Sequence, residues 1–240
     1  MILEARDLWR TFGGVAAVAG VDFALEEGEL RCLIGANGAG KSTFFKMLTG
    51  QLAPSRGRIV LKGEDITGRP AFEIARRGVG IKTQVPSLFD GLTVAENLWL
   101  AARRAHGARR ADAVTADLLG EIRLAARADD EVGTLSHGQR QWVELGMVLA
   151  GEPDLLLLDE PAAGMTADEV EATVALIKAM RGRRTLVIVE HDMHFIRRIA
   201  EKVTVFHRGR VLVEDTMDSI LRNPEVRDAY LGQRAGGLDG

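Results

Sequence analysis

Eight residues carry the plainest chemical signal in this chain. Gly35-Ala36-Asn37-Gly38-Ala39-Gly40-Lys41-Ser42 follows the spacing G-x-x-x-x-G-K-[ST] of a phosphate-binding loop. The glycines let backbone N–H groups curl around phosphate oxygens, and the helix that opens at Lys41 adds its partial positive charge. Lys41 is placed to reach the β- and γ-phosphates and Ser42 to ligate Mg²⁺, with Thr43 following in the same turn. The context agrees, because the apolar run LRCLI precedes the loop and KSTFFKMLTG follows it as a helix ending at Gly50.

A second chemical element lies downstream. Residues 155–160, LLLLDE, are an apolar strand ending in two acids. Asp159 can hold a water on Mg²⁺, and Glu160 is placed to orient or deprotonate an attacking water. Acids at a strand end are common, so the pair says little alone. Joined to a phosphate loop it points to nucleotide hydrolysis.

A third signal is TLSHGQ, residues 134–139. Ser136-x-x-Gln139 is a capping box, since Trp142, Leu145 and Leu149 then recur at helical spacing. Thr93-x-x-Glu96 and Thr166-x-x-Glu169 repeat the pattern ahead of two more helical runs. A helix start with a glycine beside the cap is also suited to an anion.

The elements that must position these groups alternate. Strand-like segments ILEARDLW, VDFALEEGELRCLIG (with a turn at EEGE) and RIVLK come first, and a helix-rich stretch spans about 93–128. DLLLLDE, TLVIVEHD and KVTVFHRGRVLVED are later strands separated by helical segments such as TADEVEATVALIKAM. This alternation predicts an α/β fold with a parallel sheet, a small N-terminal β subdomain and an inserted helical block.

Composition narrows the options. Apolar residues make up 46% and charged residues 27% of 240, as in ordinary globular chains. Net charge is −3 and the sequence pI about 6.0, which leaves no electrostatic footprint for nucleic acid. Arg103, Arg104, Arg109 and Arg110 form a local basic run, expected to be a solvated helix face or turn. The single cysteine, Cys32, sits in an apolar strand and fits a buried thiol in a reducing compartment. No secretory leader and no bilayer-spanning apolar segment is legible, so any service to a membrane is expected to run through partners.

With these residues in place, the whole chain resembles the ATP-binding subunits of ABC transporters. Gly35–Ser42 matches the Walker A motif and Leu155–Asp159 the Walker B motif. Gln84 matches the Q-loop, Leu135–Gln139 the LSGGQ signature and His191 the switch histidine, while Phe12 falls where the family places an aromatic against adenine. The resemblance implies a P-loop NTPase (RecA-like) core over residues 1–90 and 151–240, with the β subdomain, and a helical signature subdomain over about 91–150. It implies ATP and Mg²⁺ as ligands, the metal held by Ser42, Gln84 and, through water, Asp159. Catalysis would involve Glu160, His191, Lys41 and Gln84. Nucleotide would contact Phe12, Gly35, Asn37, Gly38, Ala39, Gly40, Lys41, Ser42 and Thr43 in one chain, and Ser136, Gly138 and Gln139 from a partner. The family pairs head to tail, so a homodimer or a heterodimer with a sister ATPase is implied. So are two transmembrane permease subunits, a periplasmic solute-binding protein and a place on the cytoplasmic face of the inner membrane.

Two departures matter. His137 replaces the first signature glycine, and its imidazole could face either phosphate or solvent. Thr166 stands where the D-loop normally ends in Asp; it can still cap the next helix, but a carboxylate between paired sites is lost. These variants, with the tail NPEVRDAYLG, resemble the hydrophobic amino acid and amide uptake group. Within it they lie nearer the urea and short-amide importers than the branched-chain amino acid ones. The alternative expectation is a soluble ABC ATPase such as an iron–sulfur assembly factor. Only 95 residues separate Lys41 from Ser136, too few for the coiled coil of repair types, and one ATPase domain argues against translation types.

Overall fold

The computed structural model describes residues 1–83 and 87–235. In chain order the elements are β1 (Leu3–Phe12), β2 (Val15–Leu25), β3 (Leu30–Gly35), α1 (Lys41–Leu48), β4 (Arg56–Leu61), β5 (Glu64–Asp65), α2 (Ala71–Ala75) and β6 (Val79–Lys82). Then come α3 (Val94–His106), α4 (Ala108–Glu121), α5 (His137–Leu149), β7 (Leu155–Asp159), α6 (Ala167–Met180) and β8 (Thr185–Val189). The chain closes with α7 (Met193–Ile199), β9 (Lys202–His207), β10 (Arg210–Asp215), α8 (Met217–Arg222) and α9 (Pro224–Ala235). Two compact units emerge, one from Met1–Arg77 with the chain from Thr185 onward, the other from Gly78–Arg184.

The first unit holds two sheets. Strands β2-β1-β4-β5 are antiparallel, while β3 runs parallel to both β8 and β9, with β10 antiparallel on β9. Every residue of β3 and β8 is buried, as expected for strands covered on both faces. Phe44 of α1 seats this layer, its ring 5.4 Å from Phe23 and 5.2 Å from Phe206. Such aromatic pairs add about 0.5–1.5 kcal/mol beyond area burial.

One buried charge stitches the same unit. Arg31 on β3 is fully buried, and it donates to Glu29 (2.6 Å), Thr204 (2.9 Å) and Glu214 (2.8 Å). Its guanidinium also lies over the Phe23 ring at 5.2 Å. These partners supply the hydrogen bonds and opposite charge that a buried guanidinium requires.

In the second unit β6 and β7 pair in parallel, Lys82 opposite Leu158. The helical stretch expected over about 93–128 breaks at Gly107, whose φ of 76° ends α3 and opens α4. Beyond Glu121 only two short 3-10 turns precede Ser136. All three capping boxes read from the sequence form, at Thr93–Glu96, Ser136–Gln139 and Thr166–Glu169. The four arginines around Gly107 are exposed, Arg103 lying over Trp99 and Arg110 pairing with Glu152.

Candidate active site

In the first unit the phosphate loop follows the C-terminal end of β3, and His191 follows that of β8, the strand alongside. Leu33 pairs with Val189, so both segments leave the same edge of the parallel layer, where α/β folds place their ligands. The loop needs its glycines for room as well as torsion. A Cβ on Gly35 would stand 2.4 Å from the Phe206 carbonyl oxygen. At Gly40, with φ of 105°, a Cβ would stand 2.6 Å from that of Ala17. The Gly209 N–H, from the β9–β10 turn, donates to the Ala39 carbonyl and holds the loop from behind.

Helix α1 starts from Gly40 with no side-chain cap, so its first N–H groups are left for a ligand or water. Lys41 is buried and its ammonium donates to the carbonyls of Gly35 (2.5 Å) and Ala36 (3.0 Å). Asn37, Gly38 and Ser42 are exposed, Thr43 is partly so, and Ala39 is buried. The loop thus pairs exposed residues with one buried charge held beneath it by its own carbonyls. Phe12, at the end of β1, is 47% exposed with the Arg10 guanidinium 4.6 Å from its ring, so its aromatic face serves the surface and not the core.

His191 projects into solvent beside a buried acid. Its N–H donates to Glu190 Oε2 at 2.9 Å, and its Nδ1 lies 3.8 Å from the same oxygen. Asp192 then caps α7 through the N–H groups of His194 and Phe195. The strand end, the acid and the cap fix where the imidazole begins.

In the second unit Asp159 closes β7, buried with the rest of that strand. Glu160 follows with φ of 48°, a left-handed conformation uncommon for a residue other than glycine. The loop from Pro161 to Met165 runs on to the Thr166 cap of α6.

The signature helix α5 begins at exposed Ser136. Gln139 is committed locally, its Oε1 accepting from the Ser136 N–H (3.2 Å) and from Arg127 (2.7 Å). Of the two surroundings considered from sequence, His137 is open to solvent, and its ring also meets a loop. Its Nε2 lies 3.1 Å from the Ala163 carbonyl oxygen, within the loop after Glu160. Trp142 likewise reaches α6, its indole N–H donating to Thr173 at 2.9 Å.

One residue of the site was not singled out for it in the sequence. Glu169, recognisable only as the third member of the Thr166 capping box, also accepts from the Ser136 hydroxyl at 2.5 Å. The Ser136 hydroxyl first, then backbone N–H groups of Thr166 and Gly138, hold its carboxyl below the ordinary range. Gln84, with Val85 and Pro86, lies outside the described residues.

Residues 18–163 match the family model described as ABC transporter, and residues 210–236 match that of the branched-chain amino acid ATP-binding cassette transporter. The chain is 37% identical to the high-affinity branched-chain amino acid transport ATP-binding protein BraF of Pseudomonas aeruginosa, over 97% of this chain and 98% of that one. It is 34% identical, over the same shares, to LivG of Escherichia coli, a protein of the same description. Among solved structures it superposes on MJ1267, an ATP-binding cassette of an ABC transporter, with a TM-score of 0.87 and 26% identity over 95% of this chain and 98% of that one. A phosphate loop on a parallel layer, matched along nearly the full length of such proteins, makes this chain a member of the ABC transporter ATP-binding subunits, in their branched-chain amino acid branch, and an ATPase.

Proposed function

We propose that the chain powers a bacterial importer of branched-chain amino acids. The carrying observation is the match of residues 210–236, β10 through α9, to the branched-chain model, on top of full-length relatives named for those solutes. The signature and D-loop variants SHGQ and GMT favoured urea or short amides from sequence, and the named relatives lend that solute no support. A soluble iron–sulfur assembly role is not favoured by them either.

In this reading the loop Gly35–Gly40 with Lys41, Ser42 and Thr43 cradles the phosphates of ATP, and adenine lies against Phe12. Mg²⁺ fits the donors present. Among the described residues no cluster of three or more His, Cys, Asp or Glu could cage a metal. Ser42 would offer one hydroxyl and Asp159, through water, one carboxylate, the sparse protein share that Mg²⁺ accepts when phosphates and waters complete its shell. When bound, the metal would neutralise charge on the transferring phosphate. Glu160 activates water, His191 contacts the departing phosphate, and Gln84 links the metal to the transport partner. Ser136 and Gly138 approach the γ-phosphate held by a second ATPase, with Gln139 ordering the cap, so a head-to-tail dimer is required.

The remaining partners are two permease subunits and a periplasmic solute-binding protein, with this chain peripheral on the cytoplasmic face. Among the described residues no helix is long and apolar enough to cross a membrane. The test is purification of the tagged chain in mild detergent, followed by reconstitution of the co-purifying complex into vesicles. ATP-dependent uptake of leucine, absent in Glu160→Gln, supports the reading. Uptake of urea alone would move the solute to the amide class, and recovery of only soluble partners would remove transport.

A further inference from the structure

The carboxylate of Glu169 does more than a helix cap demands. One oxygen, Oε2, accepts from the Thr166 N–H (2.9 Å) and hydroxyl (3.0 Å) and completes the capping box of α6. The other, Oε1, is turned toward a different helix and accepts from the Ser136 hydroxyl at 2.5 Å. The Gly138 backbone lies beside this carboxyl and adds to the forces that keep it ionised. The approach is close enough that a Cβ on Gly138 would stand 2.4 Å from its carboxyl carbon. Oxygen, charge and donors are those of an anion seated at the start of α5, a helix of 13 residues.

We propose that Glu169 is an internal stand-in for phosphate, seated in the single chain on Ser136 and Gly138, which must swing out before the signature helix engages ATP held by a partner. The inference rests on the reading above, in which those two residues meet the partner's γ-phosphate. Both anions need the same hydroxyl hydrogen and the same space beside Gly138, so they exclude one another. Ser136 is exposed and Glu169 half-buried, which leaves the seat reachable from outside and the carboxylate free to leave toward solvent. A phosphate carries more charge than a carboxylate and wins once ATP is saturating. Glu169 thereby sets how much nucleotide is needed for the dimer to close, because an occupied seat lowers the competent fraction and raises the apparent dissociation constant by the same factor.

The test uses the full chain, Mg²⁺ and a non-hydrolysable ATP analogue, with dimer mass followed by sedimentation against analogue concentration. Glu169→Gln keeps the capping box, in which Gln serves as well as Glu, but removes the competing charge. The expected result is half-maximal dimerisation at about tenfold less analogue, corresponding to a seat filled about nine-tenths of the time. Asp168→Asn, one residue earlier on α6, removes an equal charge that touches neither donor and is expected to leave the midpoint in place. Equal shifts in both variants, no shift in Glu169→Gln, or a midpoint raised by it would each overturn the proposal. Ser136→Ala separates the underlying reading. If it pairs like the wild type, with itself or with the co-purified sister ATPase, or if neither the wild type nor Glu169→Gln pairs with either, the phosphate role of the signature fails, and the stand-in with it. If Ser136→Ala abolishes dimerisation while Glu169→Gln changes nothing, the reading stands and only the stand-in falls.

Discussion

The ammonium of Lys82 lies 3.2 Å from Oε2 of Glu144, joining the end of β6 to the middle of α5 with both side chains almost wholly buried. Burial, the largest influence, raises the Glu144 carboxyl above its ordinary 4.5, against the opposing pull of Lys82. Removing one partner strands the other charge, so Glu144→Leu is expected to cost about 3–5 kcal/mol in urea denaturation, and the double variant Lys82→Met/Glu144→Leu to recover most of it. The pH dependence has a definite sign. The folded chain holds a proton on Glu144 that the unfolded chain has released, so this contribution is complete below about pH 4.5 and is lost as pH rises through the raised value. Stability of Glu144→Gln measured across that window should lack this decline; parallel curves for the two proteins would refute it.

Glu160 follows a fully buried strand and takes a left-handed backbone. Glu160→Gln keeps shape and removes the base, so phosphate release should fall by about 10²–10⁴ while nucleotide affinity holds. A fall in affinity with turnover per bound ATP unchanged would assign Glu160 to binding instead.

Gly40 and Gly38 both have positive φ but differ in surroundings. A Cβ on Gly38 meets no atom within 4 Å, whereas one on Gly40 meets the backbone of Ala17 and Gly209. Gly38→Ala should therefore cost only the torsional penalty of about 1–2 kcal/mol. Gly40→Ala should cost distinctly more, since backbone atoms must move, and should also weaken ATP binding by tilting the start of α1. Equal losses in thermal unfolding would show that torsion alone governs both sites.

Cys32 is fully buried in β3, and burial, reinforced by the Glu190 carboxylate, pushes its thiol far above the ordinary range. A thiol without access or thiolate character does not react. The native chain should resist maleimide for as long as it stays folded, and label at a single site in denaturant. Rapid labelling of the folded chain would place Cys32 at the surface.

Periodic and local features were legible in the sequence, and contacts between distant segments were not. The strands β3, β7 and β8 are runs of apolar residues, and each capping box is complete within four positions, so the chain carries both in its order. The phosphate loop is legible for the same reason, since backbone and side-chain donors come from one stretch. The second contact of Glu169 spans 33 residues and that of His137 spans 26, and the pair of Lys82 with Glu144 depends on how α5 lies along β6. No spacing rule encodes such meetings. Thr166-x-x-Glu169 was visible as a cap, but nothing local shows that a carboxylate with two oxygens has a second helix within reach.

His137 gives the last prediction. The residue replaces a signature glycine, and its Nε2 lies 3.1 Å from the Ala163 carbonyl oxygen, in the loop that follows Glu160. Gly164, next in that loop, has φ of 71° and sits so near that a Cβ on it would touch the imidazole at 3.3 Å. The side chain is exposed, so its hydrogen bond contributes only about 0.5–1.5 kcal/mol, too little to hold the fold. Its effect should be local. His137→Gly should leave global stability nearly unchanged, apart from about 1 kcal/mol for glycine in a helix. Amide exchange in the loop from Pro161 to Met165 should quicken several-fold, because local opening there loses one of its restraints. His137→Gln, which can still offer an N–H to the carbonyl, should restore part of the protection. Exchange unchanged in both variants would mean that the loop is held by its own turn and the α6 cap, and that the imidazole merely rests on it.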